Sequence, residues 1–385
     1  MNSNQSQVKD LRQTHLEVFE EDDTGVEVEE EEIIEPFDPT KIKIDARQIT
    51  IDLILNRIKY EEINLSPDFQ RDSNIWNDTA KSRLIESMLI RIPLPAFYID
   101  ATDEDKWVVI DGQQRLTTIK KFVLDEEKFR LSKLEFLTQF ESKTYDELPR
   151  SYQRRINETQ ITVYLIEAGT PPEVKFNIFR RINTGGLPLS SQEIRHALNQ
   201  GKATRLLEKL ARSKEFRVAT ANGVPDKRMS AREVVLRFLA FKVFSPDEYD
   251  AKELDTFLNE VMEAMNKMPD KELFQLESEF FRTMAAAADI FENDAFRKRY
   301  KKNAPRSPIN KALFETWSVN LSSLDDTQIL VLKNNKTLLV DRFIELMNND
   351  SYFETSISQG TGDIGKVKHR FKQIRKLIDE VLQSK

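Results

Sequence analysis

Residues 107–122, WVVIDGQQRLTTIKKF, constrain the fold more than any other stretch of the chain. Trp107–Ile110 is short, apolar and β-branched, the pattern of a buried strand. From Leu116 onward, apolar residues recur at three- and four-residue steps (Leu116, Ile119, Phe122), the pattern of a helix with one buried face. Only polar groups and Gly112 lie between them. A strand that turns directly into a helix brings backbone N–H groups and the positive end of a helix dipole to one point, and such points bind anions. The simpler alternative is a polar turn, with Asp111 as the N-cap of the helix.

Neighbouring segments extend the pattern. AFYID (96–100) and WVVI read as a strand pair around the polar loop 101–106, and ITVYLIE (161–167) as a further strand. Organised structure is expected from about Ile42–Ile51. Asp78 is the expected cap of a helix running to about Arg91, with Leu84, Ile85, Met88 and Leu89 on its apolar face. In EVKFNIFRRINTGGLPLSSQEIRHAL (173–198), a helix carrying Phe176, Ile178, Phe179 and Ile182 is expected to expose Asn177, Arg180 and Arg181. It stops at Asn183-Thr184-Gly185-Gly186, after which Ser190 and Glu193 form a capping box for the next helix. Amides and guanidinium groups around this loop suit phosphate or sugar contacts, although Gly-Gly between helices is also an ordinary turn.

Strand signals almost vanish beyond about residue 190, where long segments carry helical periodicity instead. The expected fold class is therefore α+β: a disordered acidic arm (1–40), an α/β domain (41–190) and an α-helical domain (191–385). The run GTGDIGK (360–366) imitates a phosphate loop, but Val367 stands where a magnesium-binding hydroxyl belongs and no buried strand precedes it. It reads as a flexible lead-in to the terminal helix.

Composition removes several chemistries. With no cysteine, disulfides, thiolate nucleophiles and cysteine-held metals are excluded. The three histidines, His15, His196 and His369, stand in no metal-ligand spacing, which leaves magnesium held by Asp or Glu as the open metal option. No apolar run is long enough to span a bilayer and no signal peptide opens the chain, so a cytoplasmic protein with no membrane partner is expected. The net charge of −7 hides a strong asymmetry. Glu20–Glu35 holds ten acidic and no basic residues; removing those ten carboxylates from −7 leaves +3 for the remainder. Arg150–Lys242 has eighteen Lys and Arg against eight Asp and Glu, and Ala295–Lys311 has seven basic residues and no acidic one. Such blocks suggest a polyanion partner, with the arm competing for the basic surface; solvated helix faces and a merely solubilising arm are the alternatives.

Three ordered motifs carry a resemblance. FQRDSNIW with IPLPAFYI, then VIDGQQRLTTI, then FNIFRRINTGGLPLSSQEIRHAL resemble the DGQQR-type ParB-like family. Its members include the N-terminal module of GmrSD-type modification-dependent restriction proteins and of phosphorothioate-sensing anti-phage effectors. The similarity covers Ile42 to Asn199 closely, and the helical remainder, including VKHRF (367–371), resembles the family's less uniform C-terminal part.

The resemblance implies a ParB/sulfiredoxin-like core that binds a nucleoside triphosphate. It implies that Gly112 lets the backbone approach phosphate, that Gln113, Gln114 and Arg115 donate to it, and that Asp111 holds Mg2+ or orients water. It also implies that Gln70 and Arg71 line the pocket, which Asn177, Arg180 and Asn183 close. Sulfiredoxin chemistry needs a cysteine, and the His-Asn-His nuclease pattern of restriction relatives is missing too, so this chain alone is not expected to cleave DNA. The implied role is a nucleotide-dependent, weakly hydrolysing sensor subunit that associates with DNA, partnered by a nuclease or other defence-system subunit. A non-enzymatic DNA-binding adaptor and a magnesium-dependent nuclease remain the alternatives.

Overall fold

Alternating apolar residues in the first half of the chain build a five-stranded sheet. Its strands are β1 (Ile44–Thr50), β2 (Ile63–Asn64), β3 (Phe97–Asp100), β4 (Trp107–Asp111) and β5 (Gln160–Ile166), in the order β1-β5-β3-β4-β2. The computed structural model describes residues 25–27, 43–65, 76–127, 129–182, 189–250 and 253–384. The chain divides into two compact units, Phe37–Gln200 and Gly201–Lys385, the second of which also takes in residues 25–27.

In the first unit β3 runs antiparallel to β4 and parallel to β5, while β2 runs parallel to β4. Period-two alternation sends Phe97, Ile99, Val109, Val163 and Leu165 to one face. Helices α1 (Ile51–Lys59), α2 (Asp78–Leu89), α3 (Gln113–Val123) and α4 (Arg150–Asn157) contribute Ile54, Met88, Leu116, Ile119, Phe122 and Ile156 to the same core. The opposite face carries Ile110 and Ile166, packed with Val174, Phe176, Ile178 and Phe179 of α5 (Pro172–Ile182) and Ile194 of α6 (Ser191–Leu198). Fold class is thus α+β, with the sheet confined to the first half.

Several boundaries differ from expectation for local reasons. Asn77, not Asp78, caps α2, accepting from the Ala80 N–H at 2.9 Å; both residue types cap well, so spacing alone could not choose between them. That helix ends at Leu89, and Arg91 has a left-handed φ of 64°. Helix α3 begins at Gln113, so the polar stretch QQR is its first turn rather than a loop. The Ser190–Glu193 capping box forms as read. Asn177 is buried rather than exposed, because α5 is covered on more of its circumference than one apolar stripe requires.

The second unit is helical: α7 (Lys202–Ala211), α8 (Lys214–Ala219), α9 (Ser230–Val243), α10 (Leu254–Lys267), α11 (Asp270–Phe291), α12 (Lys311–Ser322), α13 (Asp326–Asn334), α14 (Lys336–Asn349), α15 (Ser351–Ser356) and α16 (Ile364–Gln383). One cluster of aliphatic and aromatic side chains joins them, and a buried ionic network lies within it. Glu315 of α12 accepts from Arg370 of α16 at 3.0 Å and pairs with Arg237 of α9 at 3.4 Å. Arg370 Nη1 also donates to the carbonyls of Ser356 and Thr361. The GTGDIGK run is hydrogen-bonded to this unit and not the loose lead-in expected: Tyr249 donates to Gly362 O at 2.9 Å and Asp363 caps α16. Residues 25–27 depart from the expected disordered arm in the same way, for they dock against this unit.

Candidate functional site

The Gly112 corner sits where β4 ends and α3 begins. Gly112 has φ +98°, in the left-handed region, and a Cβ there would overlap the Phe97 ring. It serves as N-cap without any side chain capping the helix, so Asp111 is not the cap. The first N–H groups of α3 are the orphan donors of any helix start, here placed beside the carboxyl ends of the parallel strands β2 and β4.

A register shift between β3 and β4 sets the direction of Asp111. Tyr98 pairs with Asp111 and Ile99 with Val109, leaving Ile110 as the extra residue of a bulge. Such bulges re-aim side chains. Asp111 thereby lies opposite Tyr98, which packs on the face covered by α5 and α6 and stacks on Tyr164 with ring centroids 4.9 Å apart. Burial raises the pKa of the Tyr98 phenol, and the neighbouring Tyr164 and the Asp111 charge add to that shift.

The remaining motif side chains brace the turn. Arg115 is buried: its Nη1 donates to Pro95 O, its Nη2 donates to Ala96 O at 3.1 Å and pairs with Asp111 at 2.8 Å, and the guanidinium lies 4.3 Å from the Phe97 ring centre. Burial lowers the Arg115 pKa, against which Asp111 acts. Gln113, 6% exposed, donates through Nε2 to Leu65 O, and its Oε1 is buried with no partner among the described residues. Gln114 is half-buried, and its side chain has no hydrogen-bond partner among the described residues.

Residues 51–199 match the family model of the GmrSD restriction endonuclease, N-terminal domain. The match runs from the start of α1 to the residue after α6, and so contains the sheet from β2 to β5, the Gly112 corner and both helices of the second face. No curated protein and no solved structure matches the chain.

Within this GmrSD-type module the expected site residues separate into three groups. Asp111, Gly112, Gln113, Gln114 and Arg115 form one corner. Asn177 and Arg180 lie on α5, buried and half-buried, on the sheet face toward which the bulge turns Asp111. Gln70, Arg71 and Asn183 fall outside the described residues. Sequence reasoning missed Tyr98 and the Pro95 and Ala96 carbonyls, because a strand residue and backbone acceptors carry no motif. It also missed Lys175, which pairs with Asp100 at 3.3 Å and donates to Thr102 at 3.0 Å, tying α5 to the far end of β3. Among the described residues no three His, Asp or Glu side chains gather as a metal site.

Proposed function

We propose that the module binds a nucleoside triphosphate at the Gly112 corner and acts as the nucleotide-dependent part of a DNA-directed restriction or anti-phage defence protein. One observation carries the reading: α3 starts without a side-chain cap behind a left-handed glycine, and beside that start Gln113 Oε1 has no hydrogen-bond partner among the described residues. Phosphate oxygens suit the N–H groups and the dipole end, and Gln113 Oε1 accepts from a hydroxyl or amine. Gln114 supplies a side-chain amide, while Asn177 and Arg180 approach from α5. Arg115 and the Nε2 end of Gln113 act as positioning groups, holding Asp111, the start of β3 and the end of β2 around the glycine.

Magnesium would neutralise phosphate charge from the Asp111 side. DNA is the proposed polyanion for the basic blocks, and a nuclease subunit the proposed partner. Because Gln113 and Arg115 are committed to internal contacts, binding with slow turnover is favoured over rapid hydrolysis, and an adaptor that binds without turnover is the second reading.

Calorimetric titration with each of the four nucleoside triphosphates, and phosphate release with and without DNA, test the proposal. Gly112→Ala should abolish binding, and Gln114→Ala should weaken it about tenfold in a chain that remains folded. Nucleotide affinity unchanged in both folded variants would move the site elsewhere. Binding without phosphate release selects the adaptor reading.

A further inference from the structure

Three consecutive residues of the acidic arm are each recognised by a different device in the helical unit. Gly25 has φ +68°, and a Cβ there would overlap the Gly223 carbonyl, so only glycine fits. Val26 is 2% exposed and belongs to the unit's main hydrophobic cluster. Glu27 places Oε1 2.5 Å from Lys298 Nζ and accepts through Oε2 from Asn310 Nδ2 at 2.7 Å. The backbone is read as well: Glu27 N–H donates to Ile309 O at 2.8 Å and Ile309 N–H donates to Gly25 O at 3.3 Å, in a parallel bridge at Val26.

The receiving side is built from the unit itself. Lys298 is only 5% exposed and donates also to Ser358 Oγ at 2.8 Å, while Asn310 donates to Ile357 O and caps α12. Backbone pairing supplies affinity and alternating side-chain readout supplies specificity, the logic of peptides that add a strand to a host. A buried ammonium and an amide facing an extended segment select a carboxylate, and a glycine-only approach followed by an apolar slot fixes its register. Random attraction between an acidic arm and a basic surface needs none of these features.

We propose that this face of the helical unit is a peptide-recognition slot for an extended Gly-Val-Glu sequence, filled in cis by residues 25–27 as an exchangeable ligand. Among the described residues the docked segment is three residues with one buried valine, and tethering supplies the effective concentration that keeps the slot filled. The slot lies outside the matched module, and the proposal is independent of nucleotide binding.

The test is fluorescence anisotropy with a labelled peptide of residues 20–35, titrated with the full chain and with a chain lacking residues 1–28. The peptide should bind the shortened chain at least about tenfold more tightly than the full chain, whose slot is filled. A Gly25→Ala peptide and a scrambled peptide of equal charge should both lose at least about tenfold in affinity. Equal binding of native and scrambled peptides, or equal binding to both chains, would overturn the proposal. Should the shortened chain not fold, hydrogen exchange in the full chain decides: protected amides at Glu27 and Ile309 support the docked strand, and unprotected ones refute it. A concentration-dependent dimer in the full chain that Val26→Asp turns into a monomer would place the occupant in a second copy and overturn the cis assignment.

Discussion

Replacing Arg115 with alanine should cost the first unit about 3.5–4 kcal/mol of stability before any ligand is considered. Two of its N–H groups serve the Pro95 and Ala96 carbonyls, and charge-assisted bonds of this kind are worth about 1.5–3 kcal/mol each. Pro95 is exposed, so water can replace part of that loss and the lower figure applies. The stack on Phe97 adds about 0.5–1 kcal/mol. The Asp111 pair adds little, because the carboxylate remains one-third exposed. Arg115→Lys keeps the charge but not the fork, and should recover less than half of the loss. Denaturant unfolding followed by the fluorescence of Trp107, at the start of β4, in a chain whose other two tryptophans are replaced by phenylalanine, measures this directly. A shift below about 0.5 kcal/mol for Arg115→Ala would refute the bracing role, since even one charge-assisted bond exceeds it. In that event the guanidinium would be a candidate for direct phosphate contact instead.

Glu86 provides a pH test. Burial pushes its carboxyl up, but the backbone N–H groups of Glu135, Leu137 and Phe136, with the charge of Arg83, outweigh burial and hold the pKa below the ordinary 4.5. A lowered folded value means that the stabilisation is fully present above about pH 4.5 and is lost as pH falls through the folded value. Glu86→Gln should therefore lower the midpoint of unfolding at pH 7, by an amount that shrinks as the pH falls below about 4.5; a loss that stays constant on acidification would exclude the carboxylate as the cause. In the helical unit, Arg370→Met should cost about 3–5 kcal/mol by leaving Glu315 short of its closest partner. The double variant Arg370→Met with Glu315→Met should recover much of that loss in thermal unfolding, and failure to recover would mean that shape rather than charge sets the cost.

Readability from sequence tracked how locally each feature is determined. The strands around Trp107–Ile110 and the Ser190 capping box depend on nearest neighbours, and both were legible. The bulge at Ile110 depends on how β3 meets β4, so the direction of Asp111 was not. Asn177 was read as exposed because it lies off the apolar stripe of α5, yet that flank is covered as well. Arg237, Glu315 and Arg370 break the same rule more strongly: periodicity assigns charged residues to solvent, and only the tertiary fold brings these three together in the interior. Val26 was hidden by its surroundings, one of four apolar residues in a run of ten carboxylates whose average suggests no structure at all. Of the candidate site, the strand-to-helix corner at Gly112 was legible, but not the use of its arginine as a brace.

The Glu315–Arg370 pair also bears on how the protein is made. Glu315 is completed by Arg370 of α16, which is synthesised after the other described helices of its unit. Until α16 arrives, the interior of the nascent unit carries a carboxylate whose closest partner has not been synthesised, and burying it costs several kcal/mol. The helical unit therefore closes only once α16 docks, while the first unit, earlier in the chain, can complete its own core beforehand. Truncated or stalled chains would expose the unclosed interior, which gives quality control a clear distinction between finished and unfinished copies.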